Sequence, residues 1–489
     1  MAARETPAQQ IERLLQTGDP LSAARVASEL IAKAPTSFLG HLGRCRAHLQ
    51  LGNIIEAERD LEVALKSSPN DEQACFLRAS LDNRYGRAEA GKARLLPLAR
   101  GRGPHAIEAG LALLDLLHQT SQRDELVEMV KSGGPWSTDP RALMHFARVE
   151  ALSDPLKAAA SMSVILKSAH PIPLRRIAGF EAAGLLDKVG DYRGAFDIAR
   201  LTHATTGDDF SIDAFLRPMI AQLALVEKGA NWIAPRAPHV EGVAMIVSLP
   251  RSGTTLLEQM LDRHPAISGI GEFDGMRAIC KGLEATGPWP RNQQSVPTER
   301  YTALQALYLE GAHRIRREGA TWTFDKALRT WRSLPEVAAV LPGAVCLNVE
   351  RDPRDMATSL FLSYFNAGSV LWTQTFENMR RVIDMERTLV GRAMNVLGIK
   401  HETIIYEDLV EDPAAHAQRC LALMNLPMDE RVLAPQENTR AAITLSALQV
   451  RKPINRSSIG RWKNYDFAFD ASWDALVQRH EAQRRSISK

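Results

Sequence analysis

Cysteine is scarce and scattered. Cys45, Cys75, Cys280, Cys346 and Cys420 are the five in 489 residues, and no two of them form a C-x-x-C pair. An odd, dispersed set argues against a disulfide framework and a zinc site and fits a reducing cytosol. Long apolar runs are missing too. No stretch approaches the about 18 residues of a membrane span, and the opening MAARETPAQQIERLLQTGD has no apolar leader core. The expectation is a cytoplasmic chain without a membrane span. Excess charge is also lacking. The 60 Lys and Arg against 57 Asp and Glu leave a net +3, too little for a nucleic-acid partner, so any anion site must be local. The 45% hydrophobic and 24% charged residues describe a globular protein. Its length predicts two or three domains.

The N-terminal half repeats. TGDPLSAARVASELIAKAP places Gly18, Ala23, Ala27 and Pro35, and LGNIIEAERDLEVALKSSP places Gly52, Ala57, Leu61 and Pro69, every offset being 34. A third copy sets Gly86, Gly91 and Leu95 on the same lattice, with Pro104 one residue late. HQTSQRDELVEMV and LSDPLKAAASM are worn copies, and VGDYRGAFDIAR restores the pattern with Gly190, Ala195 and Ala199. Glycine ends a first helix at positive φ, a small residue lets the paired helix approach, and proline stops the second helix. The spacing resembles the tetratricopeptide repeat, read here as six helix pairs over 5–205 and a closing helix near Phe210–Val226. Such a stack implies an extended groove for a protein or peptide partner. KGANWIAPRAPHVEG (Lys228–Gly242) breaks the helical pattern and reads as a linker. A fragment starting near residue 228 is expected to fold alone, with a modest loss of solubility from exposing the face that docks against the closing helix.

Beyond the linker the period changes. VAMIVSL (Val243–Leu249) is a short apolar run of the kind buried on both faces of a sheet. TWTF (321–324), AVCLNV (344–349) and TIIY (403–406) are further strands, alternating with helices that include 299–318 and 376–397. This order implies a parallel sheet covered by helices on both faces. The loop PRSGTT after the first strand looks like a phosphate loop, but Thr254 stands where a nucleotide-hydrolysing loop carries lysine, and Arg251 lies three residues upstream. That absence argues against a magnesium-nucleotide kinase. An ordinary capped turn is the plainer alternative for the loop alone.

Two later segments also suit phosphate. In NVERDPRDMATSLF, Arg351 closes a strand and Ser359 follows eight residues later on a helix, so both can reach one phosphate. By itself R-D-P-R equally suits a salt-bridged turn. From Asn438 to Tyr465 no acidic residue occurs, while Arg440, Arg451, Lys452, Arg456, Arg461 and Lys463 are all basic. A solvated tail usually mixes signs.

The three segments in this order resemble the sulfotransferases that use 3′-phosphoadenosine-5′-phosphosulfate. The nearest likeness is to the tyrosylprotein sulfotransferases and to bacterial proteins that join tetratricopeptide repeats to such a domain. The resemblance implies an all-α tetratricopeptide-repeat solenoid (5–226), a linker (227–241) and an α/β, P-loop-like, parallel-sheet sulfotransferase domain (242–489). It implies a 5′-phosphosulfate loop of Arg251, Ser252, Gly253, Thr254 and Thr255, and a 3′-phosphate pair of Arg351 and Ser359. Tyr406, Ser446, Gln449, Val450, Asn455 and Arg461 are the further donor contacts. Glu272, in a Gly-Glu after a short strand, becomes the base. Lys326 in FDKAL becomes the leaving-group cation, a task Arg251 shares. His264 is the rival base. No metal is implied. The acceptor is open: a protein tyrosine recruited by the repeats, a carbohydrate or a small molecule. A repeat scaffold with a degenerate nucleotide-binding domain is the different-class alternative.

Overall fold

A computed structural model describes residues 5–207, 210–229, 233–365, 370–438 and 453–487. Residues 5–203 form six antiparallel helix pairs: α1 (Pro7–Gln16) with α2 (Pro20–Lys33), α3 (Phe38–Leu51) with α4 (Ile54–Ser67), α5 (Glu72–Arg84) with α6 (Ala88–Arg100), α7 (Ala106–Gln119) with α8 (Arg123–Ser132), α9 (Ala142–Glu150) with α10 (Pro155–Lys167), and α11 (Ile172–Lys188) with α12 (Tyr192–His203). The closing helix is α13 (Ile212–Val226). Gly18, Gly52, Gly86 and Gly190 all take positive φ between first and second helices, as their spacing implies. Ser121 occupies the same left-handed position at φ 61° in the fourth pair, where the sequence pattern fades. Asp19, Asp154 and Asp191 each cap a second helix through a side-chain oxygen.

The second half is built on five parallel strands, β1 (Val243–Ile246), β2 (Ile267–Gly271), β3 (Trp322–Asp325), β4 (Val345–Glu350) and β5 (Lys400–Ile405), in the order β2-β3-β1-β4-β5. β1 and β4 are buried along their whole length, which explains their unbroken apolar sequence. The crossovers carry α14 (Thr254–Leu261), α15 (Gly275–Glu284), α16 (Thr298–Ile315), α17 (Leu334–Val340), α18 (Pro353–Phe361) and α19 (Phe376–Val396). After β5 come α20 (Tyr406–Glu411), α21 (Pro413–Leu423), a tight helical strap over Arg461–Ala468, and α22 (Asp474–Ile487).

The two halves share one core. Buried Ile54, Leu61, Leu216 and Met219 of the helix pairs and α13 belong to the same apolar cluster as Met245, Phe273, Val382 and Ile383. The early pairs dock on α15 and α16, where Lys281 Nζ donates to the Leu51 carbonyl at 2.6 Å, Arg84 pairs with Asp274, and Arg59 with Glu310. The last pair docks on α18, where Phe196 stacks on Phe361 at 4.9 Å and His203 Nε2 bonds the Phe361 carbonyl at 3.0 Å. The linker is not a free tether. Backbone N–H groups of Arg236 and Ala237 donate to Ala339, and that of Val240 to Pro342. Among the described residues no helix is long and apolar enough to cross a membrane.

Candidate active site

Parallel strands present all their C-terminal ends along one edge, where ligands of open α/β sheets bind. Each of the five delivers a residue singled out above. The PRSGTT loop follows β1, Glu272 comes directly after β2, Lys326 after β3, Arg351 after β4, and Tyr406 after β5. β1 is the switch point, with β3 on one side and β4 on the other.

The β1 loop is held in an unusual conformation. Arg251 has φ 69° and Gly253 φ 111°, so backbone N–H groups turn inward at the start of α14, the arrangement that cradles anions. Only glycine fits at 253, because a Cβ there would sit 2.3 Å from the Tyr406 ring. Ser252 Oγ closes the loop on the Leu249 carbonyl at 2.9 Å. Buried Ser248 accepts the Val349 N–H and bonds Asn348 Oδ1 at 3.2 Å, locking the end of β1 to β4. Thr254 and Thr255 are buried in the first turn of α14.

The loop and the second phosphate segment meet. Arg251 Nε–H donates to Ser359 Oγ at 2.8 Å, and Arg351 Nη1–H donates to the Arg251 carbonyl at 3.2 Å. The Arg351 guanidinium lies 4.9 Å from the centre of the Tyr406 ring, a cation–π distance. Burial holds the Arg251 guanidinium down to about 10, and the neighbouring Arg351 and Arg461 push the same way. Arg351 Nε is buried without a hydrogen-bond partner. Three clustered guanidinium groups, one with an orphaned donor, together with a loop that only glycine permits, match a polyanion.

The second centre is an ion pair. Lys326 Nζ lies 2.9 Å from Glu272 Oε1; the lysine side chain is 1% exposed and the glutamate 53%. The lysine is anchored by its backbone N–H to Gly271, and Gly271 N–H is held by Glu258 at 3.1 Å. Beside it is a residue that the sequence reading passed over. Asp325 is fully buried, accepts the Ala327 N–H at 2.8 Å and the Tyr308 hydroxyl at 3.0 Å, and is pushed up to about 7, chiefly by burial. The D of FDKAL carries no distinguishing spacing, so nothing in the sequence separates it from a surface aspartate.

Glu272 lines a cavity of about 1020 Å³ shared by both halves of the chain. Leu249, Trp331 and Trp372 face it from the sheet half, and Phe215, Met219 and Gln222 from α13. His264 is elsewhere: its Nε2 bonds the Pro427 carbonyl at 3.2 Å and its Nδ1 accepts the Ala266 N–H at 3.1 Å, so the ring closes a helix end. Asn455 closes its own turn, accepting from Ser457 and donating to the Pro453 carbonyl. Arg461 is bound to Asp187 of α11 at 2.6 Å. Ser446, Gln449 and Val450 lie outside the described residues. Among the described residues no group of three or more His, Cys, Asp or Glu side chains is gathered to hold a metal ion.

Sheet order, the glycine-dependent loop and the carboxylate–lysine pair together make up one site at the C-terminal edge of a parallel α/β sheet. Residues 244–430 match the model of the sulfotransferase family, so this half is a sulfotransferase-family domain. It is related to the protein-tyrosine sulfotransferases: protein-tyrosine sulfotransferase 1 of Danio rerio is 26% identical over 50% of this chain and 73% of its own length. An uncharacterized protein of Aquifex aeolicus (strain VF5) is 23% identical over 86% of this chain, helix pairs included, and this chain spans 56% of that relative's length. Two solved domains align over nearly their full length. The sulfotransferase domain of the Synechococcus PCC 7002 olefin synthase covers 49% of this chain at 20% identity and a TM-score of 0.34. The one from the curacin biosynthetic pathway covers 51% at 17% identity and a TM-score of 0.35.

Proposed function

We propose that this protein is a sulfotransferase that moves the sulfuryl group of 3′-phosphoadenosine-5′-phosphosulfate to a hydroxyl acceptor lodged in the cavity beside Glu272. The observation that carries the reading is the convergence at one sheet edge of Arg251, Ser359, Arg351 and Tyr406 with the Glu272–Lys326 pair. The residues fit the donor. The loop amides of 252–255 and Arg251 suit the 5′-phosphosulfate, and Arg351 with Ser359 suits the 3′-phosphate. Glu272 takes the acceptor proton as the new oxygen–sulfur bond forms. Lys326 and Arg251 neutralise the bridging oxygen as its bond to sulfur breaks, so 3′,5′-adenosine bisphosphate leaves. The cations this needs are side chains, and no metal ligand is assigned.

Among acceptors, a tyrosine of a protein is favoured by two things. A phenol of pKa ~10 is within reach of a placed carboxylate. The closing helix α13 forms a wall of the cavity, and the helix pairs before it, read as tetratricopeptide repeats, offer a surface able to hold the rest of the acceptor. Five cysteines without a disulfide support a cytoplasmic setting. Calorimetry tests the donor. 3′,5′-Adenosine bisphosphate is expected to bind at least ~10-fold tighter than 5′-AMP, because one charge-assisted contact is worth ~1.5–3 kcal/mol. Equal affinities overturn the reading. Labelled donor added to cell extract then identifies the acceptor, and a labelled sugar or small molecule in place of protein overturns the tyrosine assignment.

A further inference from the structure

The strap Arg461–Ala468 is held from two sides. On the sheet side, buried Asp355 of α18 accepts the N–H groups of Gly460 and Trp462 at 2.7 and 2.9 Å, and Arg351 donates to the Ser458 carbonyl. On the other side stands the last helix pair. Asp187, at the C-terminal end of α11, accepts from Arg461 Nη2 at 2.6 Å through one carboxylate oxygen and from the Tyr465 hydroxyl at 2.7 Å through the other. Tyr465 is buried and meets Tyr192 of α12 edge-on at 5.6 Å, and Arg193 covers the Phe467 ring at 3.6 Å. The Asp187 side chain is only 17% exposed. A carboxylate of the helix pairs therefore holds the guanidinium of Arg461, whose charge is felt by Arg251 of the anion cradle.

We propose that Asp187 is a positioning residue of the donor site, acting through Arg461, so that the helix-pair half of the chain sets donor affinity as well as forming a wall of the acceptor cavity. The proposal rests on the sulfotransferase reading above. Two effects of opposite sign compete at this carboxylate. As a negative charge near the cradle it opposes a polyanion, so its removal would tighten binding. As the anchor of Arg461 and Tyr465 it fixes a donor contact, so its removal would weaken binding. A charge-assisted bond lost from a partly buried pair outweighs a screened repulsion, and weakening is the expected sign.

The test is a double-mutant cycle on the full chain, read by calorimetry with 3′,5′-adenosine bisphosphate and checked by circular dichroism. D187N is expected to raise Kd about 10-fold. R461Q is expected to raise it at least as much, and D187N added to R461Q to change it by less than about 2-fold, since an anchor has no effect once its load is gone. An unchanged or lower Kd for D187N overturns the proposal, and so does a double variant whose loss is the product of the two single losses. Should D187N not fold, D187E keeps the charge but displaces it. A Kd about 3-fold or more above wild type is then expected, and a wild-type Kd overturns positioning. If the wild type itself fails to prefer the bisphosphate over 5′-AMP, the sulfotransferase reading falls and the proposal with it. Wild-type preference with an indifferent D187N removes the proposal alone.

Discussion

Glu272 and Lys326 restrain one another while no substrate separates them. The ammonium occupies one oxygen of the carboxylate at 2.9 Å. Drawing Lys326 toward the donor's bridging oxygen would free that oxygen for the acceptor proton. Glu272→Gln keeps the shape and removes the proposed base, so kcat is expected to fall ~10²–10⁴-fold, while Kd for 3′,5′-adenosine bisphosphate is expected to stay within about 2-fold, as the proposed mechanism gives the carboxylate no part in holding the donor. Near-full turnover by this variant would place the base elsewhere. Glu386 of α19 gives a second prediction at this scale. Burial, aided by nearby Glu350, pushes its carboxyl up to about 8, against about 4.3 for a free glutamate. The folded value is the higher one, so the folded protein keeps a proton that the unfolded chain releases. Its contribution is therefore fully present below about pH 4 and is lost as pH rises toward 8. Glutamine has no proton to release. Thermal melts should show the gap in Tm between Glu386→Gln and wild type moving in the variant's favour from pH 5 to pH 8. A gap constant with pH would mean that this carboxyl does not titrate in that window.

At the scale of elements, the β1 loop depends on one residue without a side chain. Gly253→Ala meets a left-handed φ of 111° and a ring carbon 2.3 Å from the new methyl group. The cost is ~1–3 kcal/mol from the backbone alone, and Tyr406, which also faces Arg351, has to move. Loss of donor binding by more than ~10-fold in calorimetry is expected, the equivalent of one charge-assisted contact, with a lowered melting temperature. Unchanged binding would show that the cradle tolerates a different turn. Much of this element was legible in advance. Apolar β1 and β4, the glycine turn and the alternation of strands and helices fix the sheet edge, and with it the neighbourhood of Arg251, Arg351 and Ser359. The resemblance, not the pattern, singled out Glu272 and Lys326. What stayed hidden depends on contacts between segments far apart in sequence. Asp187 and Asp355 each read as one more surface carboxylate, and their partners lie more than a hundred residues away. The worn repeats have a similar cause. From the fourth pair on, a polar ladder links first helices, with Arg148 bridging Asp115 at 2.6 Å and Glu181 at 2.5 Å. Those residues recur every 33 positions, not every 34, so a fixed lattice drifts off them.

At the scale of the whole molecule, the two halves are less separable than the Gly- and Pro-broken linker implies. A fragment starting at residue 228 would lose the α13 wall of the cavity and uncover Phe361, Phe376 and the α19 face that α13 packs against. Apolar exposure of that kind drives association. The fragment is expected to elute as aggregates in size-exclusion chromatography and to bind a hydrophobic dye, whereas the full chain elutes as a discrete species. A monodisperse fragment with an intact melting transition would restore the independent fold expected from the linker.

The pairing of α13 with α19 also bears on how the molecule is made. α13 ends at Val226, and its buried partners Val382 and Ile383 come more than 150 residues later. At about 5–20 residues per second, a ribosome needs on the order of ten to thirty seconds to span that interval. For that time the nascent helix pairs carry an uncovered apolar flank that a segment made much later in their own chain covers, so the yield of active protein should depend on translation speed and on chaperones that shield it.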